Sequence, residues 1–473
     1  MNQTVLENKT SAVFDKSLYA PLMQCCAFKE VLIALQPQVA LGASDPGMLD
    51  LVADCYFGLG RVDRGIEVLE AIVATWPDNL AAWGKLGARC LQNGQKERAI
   101  QAMKSIMKSD PNSTLALSIL YLAAPYTWES SNSKRLRRLA ISGTLTQAEK
   151  IRATNTLGKL ASAAGKPAIA FQYFQKAKDA TSGCYDQSAT EASVSAQCQN
   201  FDPERLPKIT TTGDASQPLF IVGLPRSGTT LLETMLRTHC EVGSIGESPA
   251  LINIRQATQN RLRQEYPTAP DWAWCEQSSP ALAQAGREAY LAQLAQPNTA
   301  PCRVMIDKLP QNLFEMGFAR MILPEARFVF MMRHPLDIGL SLFSTNFHMG
   351  HAYVKKLEWI GHYIRASYDS LDDYIPKLGS RLHLQSYRQL VEATEPQMRA
   401  LLSHLDLDWD PACLTPLNYK GLVTTASMLQ VREGVNRSGL DKWKPFEAQL
   451  APLIKALGGW EWIKEWEARD AAL

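Results

Sequence analysis

The sequence predicts two architectures in one chain: an α-helical repeat region, then an α/β unit on a mostly parallel, doubly wound sheet. Three observations carry this reading. Landmark residues recur every 34 positions between 46 and 111. Beyond residue 217, short apolar runs alternate with helix-like stretches. The first of these runs lies in 219-LFIVGLPRSGTTLLETML-236. It turns at Gly223, Pro225 and Gly228, then takes helical spacing at Leu231, Leu232, Met235 and Leu236. Strand, glycine loop and helix N-terminus form a phosphate cradle, because unpaired backbone N–H groups and the helix dipole both favour an anion there.

The repeat is visible by aligning 46-PGMLDLVADCYFGLGRVDRGIEVLEAIVATWP-77 with 80-LAAWGKLGARCLQNGQKERAIQAMKSIMKSDP-111. Gly60 matches Gly94, Leu69 matches Met103, Ile72 matches Ile106 and Pro77 matches Pro111. A third window, 157–180, keeps the order with Gly165, Ala170, Phe174 and Ala177, and 114–150 is a degenerate match. A period of 34 with small residues where paired helices touch resembles the tetratricopeptide repeat. Such arrays present a groove for a peptide or protein, or simply pack on a neighbouring domain. The expected boundaries are a repeat domain over 1–198, a polar linker over 199–216 and the α/β domain over 217–473.

Composition narrows the function classes. The 473 residues are 46% hydrophobic and 20% charged, which suits a globular chain. Lys plus Arg total 49 against 47 acidic residues, a net +2, so no nucleic-acid partner held by bulk charge is expected. The ten cysteines include no C-x-x-C pair. They are read as mostly buried thiols rather than a zinc or disulfide framework. The N-terminus has no signal pattern and no apolar run reaches membrane-spanning length, so a cytoplasmic protein with no membrane span is expected.

In the α/β part, strands are expected at 218–223, 303–306, 327–332 and 381–385, and helices near 228–238, 310–321, 335–346 and 387–404. Ligands of such sheets bind beyond the carboxyl ends of the strands. The nucleotide-binding loop reads G-x-x-x-x-G-K-[ST]. Here Gly223, Gly228 and Thr230 fit, but Thr229 stands at the lysine position and Arg226 lies inside the loop. Backbone N–H groups with the Ser227, Thr229 and Thr230 hydroxyls can hold a phosphate without a metal. A magnesium-dependent kinase or ATPase is a weaker alternative, since its loop lysine is missing.

The motif PRSGTT, Pro225 to Thr230, resembles the 5′-phosphosulfate loop of sulfotransferases that use 3′-phosphoadenosine 5′-phosphosulfate (PAPS). That family's second signature is a strand-end arginine with a serine eight residues on, and 327-RFVFMMRHPLDIGLS-341 supplies Arg333 and Ser341. A guanidinium and a hydroxyl so placed can grip the 3′-phosphate. The whole chain is similar to bacterial proteins joining tetratricopeptide repeats to a sulfotransferase domain. More distantly, residues 217–460 resemble tyrosylprotein sulfotransferase. The resemblance implies a base at Glu247 in 243-GSIGES-248 and a charge-stabilising Lys308 in 306-IDKLP-310. It also implies Ser427 in the transition state, and donor contacts at Tyr387 and Lys442. Thr345 departs from the pattern, which has an arginine there.

Physically, a carboxylate can take the acceptor proton while a mobile ammonium neutralises the leaving oxygen. Glu247 also lies at the entry of a helix over 250–263, with Ser248 as cap, and Glu233 competes with it as a salt-bridging residue of the loop helix. His348 and His351 are candidates for the acceptor wall, and no metal is expected. Trp272 and Trp274 are read as packing or as a lid, and 443–466 as an amphipathic helix. The expected activity is sulfuryl transfer to an acceptor hydroxyl, with peptide tyrosine, sugar, lipid and small metabolite all open. A repeat scaffold with an inactive nucleotide-binding domain is the alternative.

Overall fold

The computed structural model describes residues 14–24, 27–40, 45–211, 216–268, 272–294, 302–347, 351–415 and 434–473. The chain divides into two compact units, with the break between Leu160 and Ala161.

The first unit is a run of antiparallel helix pairs. Pro46–Gly58 pairs with Val62–Thr75, and Leu80–Gln92 with Lys96–Ser109; Thr114–Ala123 and Ser131–Ile141 follow. Polar caps set the starts: Asp45 accepts from the Met48 amide, Asn79 from Ala82 and Ser113 from Ala116. Within each pair the turn is made by Gly60 or Gly94, at φ +71° and +79°, a conformation that costs other residues energy. Gly87 permits close crossing, since a Cβ there would stand 2.3 Å from the Met103 Cε. Leu51, Leu69, Ile72, Leu86, Met103 and Ile106 form the buried stripe. The 34-residue landmarks are thus turns and core positions.

The second unit holds a five-stranded parallel sheet. The strands are β1 Gln217–Gly223, β2 Val242–Ser244, β3 Val304–Asp307, β4 Arg327–Met332 and β5 Leu382–Ser386, in spatial order β2-β3-β1-β4-β5. Phe220 is level with Asp307 on one side of β1, and Gly223 with Met331 on the other. β2 is the strand that sequence patterning did not mark, because three residues carry no readable alternation. Both faces are covered. Leu219 and Ile221 pack under Thr229–Leu236 and the helices after β5. On the opposite face Phe220 meets Tyr290, and Phe330 meets Tyr368 of the long helix Leu357–Leu378.

Several expected helices are subdivided. The 310–321 stretch opens as a 3-10 turn, Pro310–Glu315, before Met316–Ile322. The 387–404 stretch breaks at Ala393, and 335–346 ends at Phe343. The 443–466 stretch is interrupted by Gly458 and Gly459, both at positive φ. Trp272 and Trp274 are buried, Trp274 edge-on to Phe318, which is core packing rather than a lid. The eight described cysteines are free thiols, but only Cys55, Cys90, Cys275 and Cys413 are buried. Among the described residues no helix is long and apolar enough to cross a membrane.

Helices Pro167–Asp179 and Gln187–Asn200 pack within this second unit. Gln197 donates to the Ser370 carbonyl and to Asp373, both at 3.0 Å, and accepts from the Ser370 hydroxyl at 2.6 Å. Lys178 is buried and donates to the carbonyls of Leu342 at 3.2 Å and Thr345 at 2.8 Å, closing the C-terminal end of Pro335–Phe343.

Burial brings the Lys178 ammonium down to about 7 from an ordinary 10.5. Between these values the native state binds fewer protons than the unfolded chain, so this lysine makes stability rise with pH across that window. Lys178→Met cannot titrate. The thermal midpoint of the parent protein should therefore climb relative to the variant between pH 7 and 10. Parallel profiles would show that the amine is not so perturbed.

Candidate functional site

Because all five strands run the same way, their carboxyl ends meet at one edge, and five loops leave the sheet there. β1 leads into the glycine loop. A Cβ on Gly223 would lie 3.0 Å from the Met331 carbonyl of β4, so the loop leaves the sheet where only glycine passes. Arg226 sits at φ +74°, and Gly228, at φ +112°, lies under the Tyr387 ring. Pro225, Thr229 and Thr230 are buried, and the buried Ser227 hydroxyl has no partner among the described residues.

Arg333 follows β4 directly. Its guanidinium donates to the Arg226 carbonyl at 2.7 Å and to the Gly439 carbonyl, stacks 4.7 Å over the Tyr387 ring, and keeps a buried Nε unpartnered among the described residues. The Arg226 Nε donates to the Ser341 hydroxyl at 2.9 Å. Burial, then the charge of Arg333, lowers the Arg226 guanidinium to about 10. The two guanidinium groups share a cleft with Gly228, Thr230, Tyr387 and Asn436. Its outer wall is pinned by Asp337, which accepts from the amides of Asp441 at 2.9 Å and Trp443 at 3.1 Å. Lys442 lies between them, exposed in that turn.

The second cluster gathers at the ends of β2 and β3. Lys308 is one residue past β3, and its amide donates to the Gly246 carbonyl at 2.9 Å. Its Nζ lies 2.5 Å from Glu247 and 3.6 Å from Glu233. The side chains of Lys308 and Glu233 are 2% and 8% exposed, whereas that of Glu247 is 38% exposed. Ser244 donates to Glu233 at 2.7 Å and accepts from the Gly246 amide at 2.9 Å. A helix does start beside Glu247, at Ala250, but its cap position is Pro249; Ser248, expected as the cap, stands one residue earlier, and its hydroxyl accepts from the Ala250 amide. Beneath Lys308, the fully buried Asp307 accepts from the Tyr290 hydroxyl at 2.9 Å and from Asn312 at 3.1 Å. Burial pushes its carboxyl up to about 7.

His351 is held near this cluster by Tyr353, 3.1 Å from its Nδ1, with the Gln311 amide 3.4 Å from its Nε2. Burial lowers its pKa, the charge of Glu247 opposing this and that of Lys178 adding to it. Ser427 and His348 lie outside the described residues. The structure thus brings together Pro225–Thr230, Arg333, Ser341 and Tyr387 in one cluster, and Glu247 with Lys308 in the other. Sequence reasoning missed the Ser244, Asp307, Tyr290 and Asn312 partners, since only tertiary contact reveals them. A separate group, His239, Cys240 and Asp410, has ligand atoms within 4.8 Å of one another. Both His239 nitrogens, however, already bond the backbone at Glu241 and Asp408.

Residues 218–411 match the sulfotransferase family and residues 56–120 match the tetratricopeptide repeat, the two families that the sequence motifs resemble. An Aquifex aeolicus protein described as uncharacterized is 29% identical over 278 residues, 58% of this chain and 36% of that protein. The protein-tyrosine sulfotransferase of Drosophila melanogaster is 28% identical over 269 residues, 51% of each chain. The match thus spans about a third to a half of these two relatives. Among solved structures, the sulfotransferase domain of the Synechococcus PCC 7002 olefin synthase aligns at TM-score 0.36 and 23% identity, over 50% of this chain and 91% of that one. The family match supports a sulfotransferase function.

The glycine loop yields a stability prediction. In Gly228→Ala the new Cβ would stand 2.5 Å from the Tyr387 ring, on a backbone at φ +112°. The strained dihedral alone costs about 1–3 kcal/mol. Urea unfolding should show a loss of at least that size, and an unchanged midpoint would mean the loop adopts another conformation.

Proposed function

We propose that the α/β unit transfers a sulfuryl group from PAPS to an acceptor hydroxyl. The observation that carries this reading is the pairing of an arginine-lined anion cleft with a lysine–glutamate pair at one sheet edge. The residues fit the donor. The Ser227 hydroxyl, buried in the glycine loop, and the Arg333 Nε, in the cleft, are donors without a partner among the described residues, suited to phosphate oxygens. Gly228, roofed by Tyr387, lets backbone approach a phosphate. Pro225 to Thr230 would hold the 5′-phosphosulfate, and Arg333 with Ser341 the 3′-phosphate. Tyr387 and Lys442 would flank the nucleotide, and Ser427 would assist the transition state.

When bound, PAPS supplies an activated sulfuryl group. Glu247 is the base: it is the exposed carboxylate of the pair, open to an incoming hydroxyl. As the acceptor oxygen bonds to sulfur, its proton passes to Glu247. The bond to the bridging oxygen breaks, and the electron pair stays on the departing 5′-phosphate, where the Lys308 ammonium neutralises it. Positioning and electrostatics supply the acceleration. The resemblance to protein-tyrosine sulfotransferases, together with the match to the tetratricopeptide repeat, favours a peptide or protein hydroxyl as acceptor. Sugar, lipid and small-metabolite hydroxyls have the same reacting group.

Calorimetric titration with 3′-phosphoadenosine 5′-phosphate (PAP), against AMP and Mg-ATP, tests the donor site. Magnesium-independent binding that needs the 3′-phosphate is expected, weakened at least about tenfold in Arg333→Ala. Preference for Mg-ATP would sink the reading in favour of a kinase or ATPase. Glu247→Gln should retain PAP affinity and lower turnover about 10²–10⁴-fold. Full turnover in that variant would remove Glu247 as base.

A further inference from the structure

Glu233 has no part in the reaction proposed above, yet it is buried against the residue that neutralises the leaving group. We propose that Glu233 is a positioning residue for Lys308, anchoring its ammonium while Glu247 exchanges partners; this rests on the sulfuryl-transfer reading.

One ammonium lies between two carboxylates, 2.5 Å from Glu247 and 3.6 Å from Glu233. The two carboxylates differ in what they can reach. Glu247 opens toward solvent, while Glu233 is enclosed and fixed by the Ser244 hydroxyl at 2.7 Å. Glu233 rides on the helix Thr229–Leu236, one turn beyond the loop threonines, so it is rigid with the phosphate cradle. Ser244 ends β2 and also accepts from the Gly246 amide, which ties Glu233 to the segment carrying Glu247.

During transfer the acceptor O–H bond breaks and Glu247 becomes neutral by taking the proton. It then no longer compensates Lys308. A buried ammonium left without a partner is costly. Glu233, enclosed away from the acceptor, takes no part in that proton transfer and keeps its place beside Lys308, so Lys308 can shift toward the departing phosphate oxygen without losing its partner. Glu233 cannot replace Glu247 as base, since its carboxylate is enclosed by Ser244, Lys308 and Arg237, whose guanidinium lies 4.0 Å away.

The test uses the full chain, PAP calorimetry and the conversion of PAPS to PAP with water as acceptor under enzyme excess. Glu233→Gln keeps the shape and removes the charge. It should bind PAP within about threefold of the parent and form PAP at least about tenfold more slowly. Glu233→Gln/Lys308→Met should be no slower than Lys308→Met, because the glutamate acts only through the lysine. Ser244→Ala should slow PAP formation less and show the same non-additivity, and it carries the test if Glu233→Gln fails to fold. A Glu233→Gln rate equal to the parent, additive losses, or affinity falling in step with rate would overturn the inference alone. A parent protein that neither binds PAP nor forms it would overturn the sulfuryl-transfer reading as well.

Discussion

The pairing of β1 with β3 on one side and β4 on the other is the constraint on which the site depends. Parallel strands must all leave the sheet at the same edge. Each key side chain lies within a few residues of a strand end: Arg226 after β1, Glu247 after β2, Lys308 after β3, Arg333 after β4 and Tyr387 after β5. The register then fixes their levels. Phe220 opposite Asp307 places Lys308 beside the strand that launches the glycine loop, and Gly223 opposite Met331 places Arg333 beside the loop itself. A one-residue slip of β3 would turn Lys308 to the other face of the sheet.

That convergence gathers charges which then have to be compensated. In the arginine cleft the described partners include several neutral groups. Carbonyls of residues 226 and 439, the Ser341 hydroxyl and the face of Tyr387 take the guanidinium hydrogens and charge. Neutral acceptors satisfy guanidinium hydrogens without cancelling their charge. At Lys308 the compensation is by two carboxylates, and the cluster has an excess of negative charge. The two halves of the site thus differ in what they hold at one edge: two guanidinium groups in one, and one ammonium between two carboxylates in the other.

Much of this was legible in the sequence because the signals were local. Gly60 and Gly94 recur because each turn needs a positive φ, and β1, β3 and β4 show as apolar runs because both of their faces are buried, whereas β5, at the sheet's edge, is only partly so. The loop was legible from its strand–glycine–helix layout, and the Arg333–Ser341 pair from the resemblance to the sulfotransferase signature. What escaped was non-local or short. β2 is three residues long. The burial of Lys178 and Gln197 depends on helices from 161 to 200 packing against residues 342–373, and no pattern in either segment announces the other. Glu233 was readable as a salt-bridging residue, but its shared partner lies 75 positions away, across two strands.

The missing loop lysine now has a physical account. At position 229 a lysine would begin the loop helix, where the helix dipole already presents positive charge to a phosphate. Thr229 leaves that role to backbone and hydroxyl groups, which hold a phosphate but do not follow charge as it moves. In the reaction proposed above the mobile cation comes instead from the end of β3, where Lys308 lies between carboxylates on two other segments, the loop helix and the turn after β2. In that reaction binding, by a rigid loop, is separate from neutralisation, by a lysine that moves between partners.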